Sequence, residues 1–151
     1  MPGFDLAAAL AHYNRINRYG QANGMMLQVP APGQAEYQMV IRPEHLSSPG
    51  TAHGGVVAGL MDAALGAAAL SLAFTTGELV STVEFKVNYL RPVLLGDALR
   101  AVARVEHAGA SLMVCSATIY RCPAEPAEAG EMAVAQGLGT FNRYPASKRE
   151  L

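Results

Sequence analysis

Residues 53–74 read HGGVVAGLMDAALGAAALSLAF. From Val56 to Thr76 the only charged residue is Asp62. A helix that is apolar on every side must be covered on every side. The stretch is therefore predicted as a fully buried helix from about Gly54 to Phe74, ended by Thr75, Thr76 and Gly77. Its length approaches that of a membrane span. It has no Lys or Arg at either end to set an orientation, however, and it carries a carboxylate in its first half. A core helix is the better reading.

The rest of the chain must supply its cover. In Ser81–Tyr89, Val83, Phe85, Val87 and Tyr89 alternate with Thr82, Glu84, Lys86 and Asn88, the period of a half-buried strand. Arg91-Pro92 ends it, and Leu95-Gly96-Asp97 turns into a strand with Leu99, Ala101, Ala103 and Val105 on one face. After the turn Ala108-Gly109-Ala110 come strands Leu112–Cys122 and Met132–Phe141, joined by a polar loop, Pro123–Gly130. Upstream, Asp5 is a candidate cap for a helix from Leu6 to about Arg18, ended by Gly20. Strands are predicted at Met25–Val29 and Glu36–Arg42, then a loop at Leu46–His53. The tail Pro145–Leu151 is expected to fray. Short turns imply antiparallel neighbours, and one long helix is the only cover available for the apolar face of the sheet. The fold class is α+β, a curved antiparallel β-sheet wrapped around one long central α-helix. One domain over residues 1–151 is expected, its N-terminal helix at about 5–18.

Composition narrows the function. Hydrophobic residues make up 51% of the 151 residues and charged residues 15%, with a net charge of −1. Nucleic acid and anionic membrane surfaces are not expected partners. Cys115 and Cys122 lie seven apart in one predicted strand, roughly 23 Å at the strand rise. They cannot bond to each other, and free thiols fit a reducing cytoplasm. The N-terminus lacks the basic region of a signal peptide, its first cation being Arg15. The four histidines are scattered without metal-ligand spacing, so no metal is expected.

Asp62 remains. A lone carboxylate in an apolar helix costs desolvation, which raises its pKa and suits a base or nucleophile near neutrality. Local hydrogen bonds or a subunit interface would also account for it. His53-Gly54-Gly55 opens the same helix, where unpaired N–H groups and the positive dipole end form a ready oxyanion site. A tight turn is the plainer reading of the glycines, and His53 is expected to orient the loop through its ring. Gly54 and Asp62 are eight residues apart, about 12 Å along a helix. One reacting carbonyl cannot touch both. If both act on one substrate they come from different chains, which predicts a symmetric dimer with composite sites.

His53-Gly54-Gly55 followed by Asp62 resembles the H-G-G-x6-D pattern of hot-dog-fold acyl-CoA thioesterases, in particular the phenylacetate-degradation (PaaI-like) group. Thr82–Pro92 and Gly96-Asp97 are similar to that group's strand after the helix, and the resemblance covers about Leu46 to Phe141. It implies hydrolysis of an acyl-CoA to an acid and free coenzyme A, with coenzyme A entering as part of the substrate and no other cofactor. Asp62 would be nucleophile or general base. The Gly54 N–H, helped by Gly55, would polarise the carbonyl. Thr82 would position Asp62 or water, with Ser81 as the fallback. A homodimer, commonly doubled to a tetramer, is implied as well.

The sequence departs from the group twice. Ser47 stands where many members carry Asn, and the turn Gly109-Ala110-Ser111 lacks a basic residue. Arg91, Arg100 and Arg104 are then the remaining candidates for coenzyme A, Arg91 first among them, and solvated strand faces are the plainer reading of all three. These departures also fit a non-catalytic acyl-CoA binding module on the same fold. A hydratase is disfavoured by the lack of an Asp/His pair. Met61, Leu65, Phe74, Leu79 and the N-terminal segment are expected to shape the acyl tunnel.

Overall fold

The computed structural model describes residues 5–125 and 130–148. Two helices, α1 (Leu6–Ile16) and α2 (Arg18–Ala22), lead into strands β1 (Met26–Gln28) and β2 (Gln34–Val40). A small ribbon, β3 (Leu46–Ser48) and β4 (Thr51–Ala52), delivers the chain to the long helix α3 (Gly54–Ala73). Strands β5 (Glu78–Tyr89), β6 (Ala98–Ala108), β7 (Leu112–Arg121) and β8 (Met132–Pro145) follow. Six strands form one antiparallel sheet in the order β1-β2-β6-β7-β8-β5, and β3-β4 stands apart. The sheet wraps α3, which packs against β2, β5, β6, β7 and β8. This is the predicted hot-dog architecture.

The core lies where the apolar side chains of α3 enter the concave face of the sheet. Leu60, Met61 and Leu65 are buried with Tyr37, Met113, Ile119, Val134 and Phe141. Ala64, Ala67, Ala68 and Ala69 are buried on the same helix, and such small residues let helix and sheet approach closely. At Gly137 of β8 the approach leaves no space. A Cβ there would lie 2.5 Å from the Lys86 carbonyl oxygen and 2.9 Å from Met61 Sδ. One face of α3 stays open, however: Gly54 and Gly55 are exposed, and Ala58, Gly59, Asp62, Ala63 and Gly66 are only partly buried. The predicted complete burial of the helix is corrected on that face.

Several boundaries differ from the sequence reading for identifiable reasons. The N-terminal helix does not run to Arg18. It breaks at Asn17, whose side-chain oxygen accepts from Gly20 N (3.0 Å) and starts α2 with Gly20 inside it. The loop Leu46–His53 contains the β3-β4 ribbon. β5 starts three residues earlier than expected, and a bulge between Thr82 and Glu84 breaks its alternation. Val83, expected among the inward residues, is 57% exposed, while Thr82 meets α3. β8 continues past Phe141 to Pro145, and a 3-10 turn over Ala146–Lys148 follows, tied by Ala146 N to the Gly77 carbonyl (3.1 Å). The expected fraying does not hold for Pro145–Lys148; residues 149–151 lie outside the described residues, as do 126–129 of the predicted loop.

Filling the contact at Gly137 should cost stability. Gly137→Ala is expected to destabilise the chain by about 1–3 kcal/mol through overpacking, read as a lower urea midpoint at unchanged slope.

Candidate active site

Asp62 sits midway along the open face of α3, where residues three and four apart line up. Gly55, Gly59, Asp62, Ala63, Gly66 and Leu70 form one wall of a cavity of about 560 Å³. Val80, Ser81, Thr82 and Phe85 of β5 form a second wall, and Tyr13, Asn17 and Tyr19 of the N-terminal helices a third. Asp62 is the only charged residue among the described residues lining it. The carboxylate is half-buried within this chain rather than fully buried as expected. Thr82 Oγ1 donates to Asp62 Oδ1 at 2.9 Å. The bulge at Val83 gives the reason: it brings Thr82, and not its neighbour Ser81, onto the helix.

The helix N-terminus is built differently. His53 is the N-cap, and its ring Nδ1 accepts from Gly55 N at 2.8 Å. A Cβ at Gly55 would press on that ring at 2.8 Å. The Gly55 amide is therefore engaged by His53, and Gly54 N is the first-turn donor that remains open. Of the two amides expected as donors, only Gly54 N is free of a partner here, and the His53 ring caps the first turn. Tyr89 Oη donates to the Gly54 carbonyl at 2.8 Å, fixing the start of α3 to β5. Behind the ribbon, buried His45 accepts from Arg42 N through Nδ1 (3.0 Å) and meets Asn23 through Nε2 (3.2 Å), while its carbonyl accepts from His53 N.

Gly54 lines a separate cavity of about 280 Å³ with Tyr89, Arg91 and Val93. One chain thus brings Asp62 and Thr82 together, and places Gly54 and Arg91 together, but divides the two pairs between different cavities. Ser47 is exposed on β3 and lines neither. Arg91 Nη1 donates to the Ala133 carbonyl at 2.6 Å, leaving other guanidinium donors for a ligand. Arg100 pairs with Glu36 (3.0 Å) and Glu131 (2.6 Å), and Arg104 with Glu106 (2.6 Å), as expected for a polar strand face.

Sequence reasoning missed three tyrosines. Alternation puts Tyr89 on the apolar face of its strand and gives no sign of its bond to Gly54. Tyr13 and Tyr19 are separated from Asp62 by over forty residues, and no local pattern links them to it. Tyr19 covers α3 at Gly59 so closely that a Cβ there would collide with its hydroxyl. Burial pushes the Tyr13 phenol above its ordinary value; a hydrogen bond with Tyr37 opposes this, and the charge of Asp62 adds to it. Tyr13 therefore faces the cavity as a neutral phenol. Burial also pushes the Cys115 thiol up to about 12.

Residues 49–124 match the family model described as the Thioesterase superfamily. A candidate esterase of Halobacterium salinarum is 33% identical, over 95% of this chain and 98% of its own length. Among solved structures, a thioesterase family protein from Silicibacter pomeroyi superposes with a TM-score of 0.79 at 27% identity, covering 94% of this chain and 100% of that one. The E. coli PaaI protein of the phenylacetic acid degradation operon gives 0.78 at 26% identity, covering 92% and 94%.

The site assigns no chemistry to the thiols, and their environments allow a direct check. At neutral pH a disulfide reagent should label no more than Cys122 in the folded chain, and both cysteines after unfolding. Rapid labelling of Cys115 in the folded protein would contradict its burial.

Proposed function

Because the chain belongs to the Thioesterase superfamily, and is therefore a hydrolase of hot-dog fold, we propose that it hydrolyses acyl-CoA thioesters to a carboxylic acid and free coenzyme A. The observation that carries this reading is the Asp62 carboxylate, held through Oδ1 by Thr82 and otherwise open to a cavity that holds no other charge. The Thr82 bond fixes the carboxylate's orientation and leaves Oδ2 as the reacting oxygen. Oδ2 takes a proton from water as water attacks the thioester carbon, or attacks that carbon itself to give an anhydride that water then opens. In both routes a C–S bond breaks and the sulfur leaves as a thiolate, a good leaving group at a thiol pKa of about 8.5. The step as proposed uses water, the acyl-CoA and groups of the protein alone.

The negative charge that develops on the carbonyl oxygen needs a donor. Gly54 N, at the positive end of α3, is that donor. It lies about 12 Å along the axis from Asp62 of its own chain, so the donor for Asp62 comes from a second copy. The edge strand β5 supports this. Its outer edge has no neighbour in the sheet among the described residues, it is twelve residues long, and Val83 stands exposed on it. A long unpaired edge is a template for pairing. Two copies joined edge to edge about a twofold axis carry their α3 helices antiparallel, with Asp62 of one facing the partner's Gly54. Arg91, beside Gly54, would then meet the phosphates of coenzyme A from that same partner. The proposed tetramer would be two such dimers. The two free thiols support a reducing cytoplasm as the setting.

A thiol-release assay across acyl-CoAs tests the reading. Asp62→Ala is expected to lower kcat by about 10³-fold or more, with the oligomer intact. Gly54→Pro removes the N–H while proline fits a first helical position, and it should cost about 10²–10³-fold in kcat. Most of the activity surviving in Asp62→Asn would overturn the role given to the carboxylate. Acyl-CoA binding without turnover in the wild type would return the chain to a binding module.

A further inference from the structure

The open groove along α3 does not end at the Asp62 cavity. A second compartment of about 430 Å³ lies beneath α1, lined by Ile16, Phe74, Leu79 and Tyr144 among others. Its one carboxylate, Glu78, is paired with Arg143. The two compartments share three residues, Tyr13, Leu70 and Val80, which form a waist between them. Leu70 and Val80 belong to the rigid helix and sheet. Tyr13 comes from α1, and its phenol lies close enough to that of Tyr37 for the two to interact. Tyr37 is itself 1% exposed and accepts from Asn17 Nδ2 at 3.4 Å. The ring is thus anchored to the core although α1 contributes no buried residue of its own.

We propose that Tyr13 sets the length of the acyl group, by closing the Asp62 cavity against the apolar compartment beneath α1. The inference rests on the acyl-CoA reading above. Asp62 and Leu70 are eight residues apart on α3, about 12 Å along its axis. An extended chain advances about 1.2 Å per bond, so an acyl group of about ten carbons reaches the waist. Shorter chains and compact aryl groups end there. Longer ones need the second compartment, whose walls are mostly apolar and already formed, and the tyrosine ring stands in their way.

The test is the ratio of kcat/KM for hexadecanoyl-CoA to that for hexanoyl-CoA, measured by release of free coenzyme A. Tyr13→Ala should raise this ratio by about tenfold or more. Tyr13→Phe, which keeps the ring, should hold the wild-type ratio. Adding Leu79→Trp to Tyr13→Ala should refill the compartment and bring the ratio back. Should Tyr13→Ala fail to fold, Tyr13→Leu keeps an apolar side chain on α1 and is expected to shift the ratio in the same direction by less. An unchanged ratio in folded, active Tyr13→Ala or Tyr13→Leu overturns this inference alone. A wild-type chain inactive on every acyl-CoA overturns the acyl-CoA reading, and this inference with it.

Discussion

A helix that carries a single charge can lie in the core only if that charge is given a face of its own. This constraint organises the molecule. Leu60, Met61 and Leu65 enter the curve of the sheet, while the line Gly55, Gly59, Asp62, Gly66 is left without large side chains. Leaving it bare makes a groove rather than a packed contact. The edge strand β5 closes one side of that groove and the N-terminal helices close the other. A bulge in the strand supplies the hydroxyl that holds the carboxylate. Cavity, carboxylate and positioning hydroxyl all follow from how one helix is packed.

The same helix separates what it provides. Its first turn offers an open amide and its ninth residue offers a carboxylate, and the rigid rise between them keeps the two apart. His53 sharpens the division by engaging Gly55 N, so a single donor is left. Tyr89 then anchors that donor's residue to β5, the strand that also carries Thr82. Both halves of the proposed site are thus referenced to one strand, and that strand is the long edge of the sheet. Pairing of two edges would bring complementary halves together without moving either.

Much of this was legible in the sequence because it is written in short-range patterns. The run from Val56 with one charge marks the helix, and alternation in residues 99–105 marks a strand face. What was not legible depends on contacts between distant segments. The bulge at Val83 is set by its register against β8, so simple alternation put Thr82 on the wrong face. The break at Asn17 comes from a side-chain bond to Gly20, a local signal outweighed by the apolar period around it. The place of Tyr13 and Tyr19 over Asp62 is a tertiary fact, visible only once α1 and α2 are seen packed across α3. Asp62 itself was found by exclusion, as the one charge its helix holds, but its half-open setting needed the groove to be seen.

The central claim is that each site takes its carboxylate from one chain and its amide donor from another. Chains bearing Asp62→Ala, refolded at equal amounts with chains bearing Gly54→Pro, test it directly. In a mixed dimer one composite site would carry both lesions and the other neither. With half the dimers mixed, the activity regained would be about a quarter of the wild type per chain, from two inactive parents. No recovery in dimers confirmed to be mixed would contradict the shared site.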